Sequence, residues 1–435
     1  MTSPINISSK IAPSFSMVSK YFIASVASFV VFCVLLLLNY YEIHGHHFQP
    51  KLLALTHILT LGWISMIIFG AMFQLVPVVL EVKLHNEKLG EVQFWLYCIG
   101  IIGMVYGFWT FSVGMHFTAS AVMVTAAMFL FIYNIFRTMT NVTKWNITGL
   151  FLLTALVYLA LTALSGLILG YNLGFPFLDR SHFDYLTLHA HIGFIGWVLM
   201  VIMGVGLKLI PMFGLSHNFS TVPAKTAFIL VNIGLLGATI EWILTGAVWL
   251  LNVYIAILML GIVSFIIQII SILKNRMKLT LDIGMKHSAV AFGYAVVATF
   301  VGGLLAWSNP GDEGIREQTV LVYGLIIMVG FFSMLIVGQM YKIVPFLVWF
   351  HTFSDRAGKE KVPLLKDLLN ESLATVQFWI LNAGILTMIA GTLLIQQTVQ
   401  FIGIALITIA ALLFAYNIGN VFYIRKLHAN RRKST

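Results

Sequence analysis

The chain has 435 residues, 60% of them hydrophobic and 9% charged, with a mean hydropathy of +0.96. Soluble domains carry about 25% charged residues, so a water-soluble fold is excluded. A net charge of +10 would point to nucleic acid in a soluble protein, but here the basic residues collect in alternate loops between apolar runs. That pattern is an orientation signal in a membrane; lipid is the expected partner and nucleic acid is not.

Taken in order, the sequence opens with a polar stretch that includes Lys10 and Lys20, then an apolar run from Tyr21 to Tyr41. The run is long for a signal peptide and has no clear small-residue cleavage site, so it is read as a retained span. Apolar runs of about 20 residues, each long enough to cross a bilayer as a helix, then recur to the end. The predicted spans are 21–41, 52–80, 91–113, 117–138, 147–171, 186–214, 225–247, 249–273, 286–307, 319–350, 374–396 and 400–424. The expected fold is all-α, one polytopic transmembrane domain over 1–435 with about twelve helices. One set of connections holds Lys83, Lys88, Arg137, Lys144, Lys225, Lys274, Arg276, Lys278, the segment Arg356 to Lys366, and the tail Arg425 to Lys433. The other is shorter and carries Asp179, Asp184, Asp312, Glu313 and Glu317. The excess of positive charge on the first set predicts both termini in the cytoplasm. Spans two and six then begin at the outer face, and His57, His189 and His191 lie one to two turns in from it.

The chain repeats itself. Span two ends Gly-Ala-Met-Phe-Gln-Leu-Val-Pro at Pro77, span six Gly-Val-Gly-Leu-Lys-Leu-Ile-Pro at Pro211, and span ten Gly-Gln-Met-Tyr-Lys-Ile-Val-Pro at Pro345. The interval is 134 residues in each case (77 to 211, 211 to 345). Gly62, Gly196 and Gly330 share the register, as do Met66, Met200 and Met334, and Gly70, Gly204 and Gly338. Trp63 and Trp197 match Phe331, and Val92-Gln93-Phe94-Trp95 is echoed by Val376-Gln377-Phe378-Trp379. Repeats at a fixed period mark a unit built several times over. The expectation is three pseudo-symmetric four-helix units, at about 21–138, 147–273 and 286–424. The glycine stripe reads as close helix packing. At about 100° per residue, His57 is placed well over a right angle from Gly62, pointing away from that stripe.

Two histidines, His189 and His191, lie in Leu188-His189-Ala190-His191 near the start of an apolar span. Burying an unpaired polar group costs roughly 1–3 kcal/mol, so each needs a partner. His57 shares the repeat position of His191, which is Leu325 in the third unit; His189 corresponds to Leu55 and Tyr323. The scaffold repeats and the histidines do not, which separates them from packing. His189 and His191 are about 200° apart on a regular helix. They cannot grip one small ion, but each can serve a group on its own side. Two readings stay open: hydrogen-bonded histidines lining a polar channel, or axial ligands to haem iron, a role that suits neutral imidazole. Cys33 and Cys98 lie in apolar runs and offer neither a disulfide framework nor a thiolate zinc site, and there is no Cys-x-x-Cys-His.

These residues carry a resemblance. Leu188-His189-Ala190-His191, Gly196-Trp197, Gly204 and Pro211 are similar to the tenth helix of the haem–copper oxidase subunit I superfamily, which includes the cbb-type oxidases and nitric oxide reductases. Leu55-Thr56-His57 through Gly62-Trp63 resembles that family's second helix. The resemblance implies twelve spans in three arcs, with His57 and His191 binding a low-spin haem and His189 a second, five-coordinate haem. It implies electron transfer, or binding or reduction of O2 or NO, in a bacterial inner membrane, and so an oxidoreductase of the terminal-oxidase or nitric-oxide-reductase kind. The electron donor would be a cytochrome subunit or a quinol. The chain departs from the family in placing His-x-His on span six. Span seven, Ala227 to Thr245, also lacks the histidine pair the family's copper needs, so one or two haems are expected and copper is not. The alternative is a non-enzymatic transporter, or a haem or metal sensor, on the same scaffold.

Other polar residues read more simply. His44, His46 and His47 form a cluster read as a solvated loop, with soft metal binding at the surface as the alternative. Glu241 is the acid within a span, near its outer end. Lys208 and Lys342 occupy equivalent positions and read as snorkelling to headgroups. His287 opens span nine at the opposite membrane face from the histidine trio.

Overall fold

The computed structural model describes residues 12–41, 46, 48–307 and 313–431. Among them are twelve helices long and apolar enough to cross a membrane: α1 Phe15–Leu38, α2 Pro50–Leu80, α3 Glu87–Trp109, α4 Met115–Met139, α5 Ile147–Gly174, α6 His182–Gly214, α7 Val222–Leu244, α8 Val248–Lys274, α9 Ile283–Trp307, α10 Arg316–Arg356, α11 Glu371–Leu393 and α12 Gln397–Leu427. Each predicted span has its helix, and the chain is an all-α, multi-pass membrane protein. Boundaries differ where polar residues are neutralised. Helix α1 starts before the apolar run because Lys20, inside it, pairs with Glu91 at 2.9 Å.

Burial separates the helices into two kinds. In α2, α6 and α10 the most apolar stretch is 78, 61 and 72% buried, against 28 to 44% in the other nine. The first three are the helices that carry the repeated Gly and Pro register. The others keep broad apolar faces outward, as lipid contact requires.

The chain forms two compact units. The first holds residues 1–25, 48–278 and 302–309; the second holds 26–47, 279–301 and 310–435. Within the first, Gly70 of α2 lets Tyr21 and Phe22 of α1 close in, since a Cβ there would meet Tyr21 Cβ at 2.8 Å. Phe69 packs on Tyr97 of α3 and Phe131 of α4. Trp197 of α6 donates to Ser65 Oγ of α2 at 3.3 Å, so α2 and α6 touch directly.

The three inner helices share a backbone departure. Ile58–Ser65, Ile192–Leu199 and Ile326–Ser333 are π-helical, so the period of the Pro repeat recurs in the hydrogen bonding. In a π turn the bonds run i→i+5 and the residues per turn rise; such insertions are rare and often sit at functional positions. Met66 N–H reaches Leu61 O across such a turn, and Tyr97 of α3 donates to the same carbonyl at 3.3 Å. The first two segments begin directly after His57 and His191. The angle from His57 to Gly62 expected from a regular helix therefore does not hold, because a π segment lies between them.

Helix ends are fastened by a recurring clasp. In the first unit Asn86 N–H donates to Asn134 Oδ1 at 3.1 Å, and Asn134 Nδ2 donates back to Asn86 O at 2.7 Å. In the second unit Asn370 and Asn417 make the same pair of bonds at 3.2 and 2.9 Å. Asn86 and Asn370 also cap α3 and α11 through their side chains. Lys342 departs from the snorkelling expectation: its ammonium meets Asp282 at 2.6 Å, with both side chains about four-fifths buried. A carboxylate one helix away replaces the headgroup as its partner, whereas Lys208 is exposed.

Asn134→Ala should destabilise the detergent-solubilised protein by roughly 2 kcal/mol, because it strips two hydrogen bonds from a buried turn. Asn134→Asp keeps the acceptor but puts an ionisable carboxyl in the buried turn, so it should destabilise as well. A thermal unfolding series measures both; an unshifted midpoint for Asn134→Ala contradicts the clasp.

Candidate functional site

The site lies in the first unit and is built from the histidine-bearing ends of α2 and α6. The two ends are packed differently from the rest of their helices. No residue of His182–His191 is buried, whereas nine of the fifteen in Met200–Gly214 are. His57, His189 and His191 are each half-buried.

A hydrogen bond holds Nδ1 of each of the three rings. His57 Nδ1 is 2.8 Å from Leu53 O, and His191 Nδ1 is 2.8 Å from Thr187 O, each one turn back along its own helix. A carbonyl oxygen only accepts, so Nδ1 carries the proton in both and Nε2 presents a bare lone pair. His189 Nδ1 lies 2.9 Å from Ser165 Oγ of α5. Ser165 Oγ is also 3.1 Å from Thr162 O, so the serine bridges the His189 ring and the α5 backbone. His57 and His191, as neutral imidazoles, thus offer Nε2 as a ligand atom. Orientation by a second hydrogen bond through the other ring nitrogen is the usual arrangement of a metal-binding histidine.

The walls are specific. The His57 ring stacks on Phe108 of α3, centroids 4.6 Å apart at 25°. Phe108 meets Phe117 of α4 edge-on at 4.7 Å. Gly166 of α5 leaves room for the His189 ring, since a Cβ there would lie 2.9 Å from its Cε1. Ser165, Gly166, Phe108 and Phe117 were not singled out from the sequence. The Ser-Gly step in an apolar span was its visible trace, but its partner on another helix was not.

Two other polar residues prove to be engaged structurally. His287 is fully buried in the second unit, with Nδ1 at 2.8 Å from Ile283 O and Nε2 at 3.0 Å from Gln377, so both ring nitrogens are committed. Glu241 accepts from Thr245 Oγ1 and from Ala247 N–H at 3.1 Å, and so ties the turn between α7 and α8. His46 lies 3.5 Å from Glu317; His44 and His47 fall outside the described residues. Among the described residues no three His, Cys, Asp or Glu side chains converge on a point where they could hold a bare metal ion.

No family model matches the sequence. An uncharacterised protein of Aquifex aeolicus (strain VF5) is 23% identical over 295 residues, 67% of this chain and 70% of that one. A heme-copper terminal oxidase, solved as a dimer, superposes with a TM-score of 0.65 over 96% of this chain and 84% of its own, at 11% identity. The chain therefore has the fold of a haem–copper terminal oxidase, as its histidine motifs implied.

Solid-state NMR of the haem-free protein with 15N-labelled histidine should show His57 and His191 neutral and protonated on Nδ1. A proton on Nε2 of either contradicts the hydrogen-bond assignment.

Proposed function

We propose that this protein binds haem in the membrane, with His57, His189 and His191 as axial ligands. Its work is electron transfer, or the binding or reduction of a small diatomic gas such as O2 or NO. The supporting observation is that His57 and His191 each commit an Nδ1 proton to a carbonyl of their own helix, and that His189 Nδ1 is held by Ser165. The chemical fit is direct, because haem iron takes neutral imidazole nitrogen. Bound haem would supply a one-electron carrier and, where one axial position stays open, a place for a gas. The chain's part is to hold the ring planes, exclude water and keep the ligand nitrogens unprotonated. Lysine and arginine placement favours both termini in the cytoplasm, which in a bacterial inner membrane would set the three histidines near the outer leaflet. Electrons would arrive from a partner cytochrome subunit or from a quinol.

A second reading is carried by the composition of α7, which has no histidine from Ala227 to Thr245. It is a haem sensor or transporter that keeps the scaffold without the copper chemistry of an oxidase.

A visible spectrum of the purified protein, oxidised and then reduced with dithionite, tests the proposal. The expected result is a Soret band with sharp reduced α and β bands that His57→Ala removes. A protein made with ample haem supply that absorbs only as polypeptide contradicts it.

A further inference from the structure

The repeat glycines of α2, α6 and α10 each admit a side chain from the helix that opens their own repeat. A Cβ on Gly70 would meet Tyr21 Cβ at 2.8 Å, one on Gly204 would meet Phe151 Cβ at 3.0 Å, and one on Gly338 would meet His287 Cβ at 2.6 Å. The surroundings recur too. Tyr21 packs on Phe73 and Phe94, and His287 packs on Tyr341 and Phe378. Phe151 faces Phe228. What changes between the copies is polarity. The middle copy needs only its two phenylalanines. In the first, Tyr21 donates to the side-chain oxygen of Gln93. In the third, an imidazole stands where the first has that phenol, and Tyr341 stands where it has Phe73. Packing therefore calls for neither group.

The hydrogen bonds of His287 admit two arrangements. Its Nδ1 is 2.8 Å from Ile283 O, which only accepts, so Nδ1 carries a proton in both. Its Nε2 is 3.0 Å from the side-chain oxygen of Gln377, which also accepts from the Tyr341 hydroxyl at 3.3 Å. An amide oxygen at Nε2 requires a second ring proton, so this arrangement belongs to the imidazolium. The two ends of a carboxamide have nearly the same shape. Turned over, Gln377 brings its NH2 to the same two neighbours, donating to a bare Nε2 and to the Tyr341 oxygen, and the ring is neutral. Gln377 Nε2 is buried with no hydrogen-bond partner among the described residues. Reversal thus exchanges one unpaired amide end for the other.

No carboxylate is committed to this ring. Asp282 and Lys342, at the same end of α9 and α10, pair with each other at 2.6 Å, and Lys286 and Glu371 are exposed. From α11 the ring meets Gln377 and Phe378, and α12 meets Tyr341 through Phe414. An added charge is therefore met by the Ile283 and Gln377 oxygens. His287 lies one turn from Ile283, where α9 begins, so the aqueous phase is a short step away.

We propose that His287, Gln377 and Tyr341 form a proton-binding site in the second unit. His287 Nε2 takes one proton from the aqueous phase, forming an N–H bond, and the Gln377 carboxamide reverses to accept it. Ionisable groups inside a membrane domain mark functional positions. The site turns pH into the direction of two hydrogen bonds that join α9, α10 and α11, and it stands independently of the haem reading.

Solid-state NMR of the full-length protein in lipid bilayers, with 15N-labelled histidine and glutamine, tests it from about pH 4 to about pH 9, a range that brackets ordinary histidine titration. As pH falls, the Nε2 resonance of His287, assigned through its backbone neighbours, should move from the bare-nitrogen to the N–H position. The side-chain NH2 resonance of Gln377 should shift at the same midpoint. His287→Tyr, which copies Tyr21, should leave the Gln377 resonance flat across the series. A His287 ring that keeps one protonation state throughout, a Gln377 resonance that does not follow the ring, or one that still titrates in a folded His287→Tyr protein overturns the proposal. The first two are read on the wild-type protein and decide the matter without the variant.

Discussion

The account depends on one hydrogen bond, made twice on separate helices. A histidine gives its Nδ1 proton to the carbonyl four residues back, as His57 does to Leu53 and His191 to Thr187. In a membrane interior this bond does two things. It meets the polar demand of one ring nitrogen without drawing on another helix, and it fixes which nitrogen is left bare. The ring is then a neutral ligand whose remaining lone pair must find a partner or face open space. His287 shows the closed version of the same start: its Nδ1 bonds Ile283 O, but Gln377 occupies Nε2 and the ring is entirely buried. His57 and His191 differ from His287 in having no such side-chain partner recorded at Nε2.

The scaffold beneath is repetitive and the chemistry is not. Three inner helices carry the same π insertion, the same glycines and the same proline. Two of them place histidine just before that insertion, and the third places Leu325 there. A π turn shifts the helix face by a fraction of a turn, so the residues before and after it address different neighbours. On α6 this lets Trp197 reach Ser65 of α2 while His189, two turns earlier, lies against α5. A helix of uniform twist could not be relied on to offer both contacts from that spacing.

Much of this was legible in the sequence. Apolar run length fixed the twelve spans, because a bilayer imposes a minimum helix length. The Gly and Pro register picked out the three most buried helices, because small residues are needed where helices approach closely. The histidines stood out by breaking the repeat. What stayed hidden depended on contacts between helices far apart in the chain. Nothing in the composition of Ile58–Ser65 marks a π turn; its redirected carbonyl at Leu61 is met by Tyr97 from another helix. Lys342 could not be paired with Asp282, nor Ser165 with His189, before the fold placed them together.

The most direct test of the central claim is an electron cryo-microscopy structure of the protein purified from membranes of cells supplied with haem. The account predicts a flat macrocycle bonded through its iron to Nε2 of His57, with Nδ1 still on Leu53 O. A well-resolved map in which lipid tails or repacked side chains fill the space beside His57, with no macrocycle on any of the three imidazoles, would contradict it.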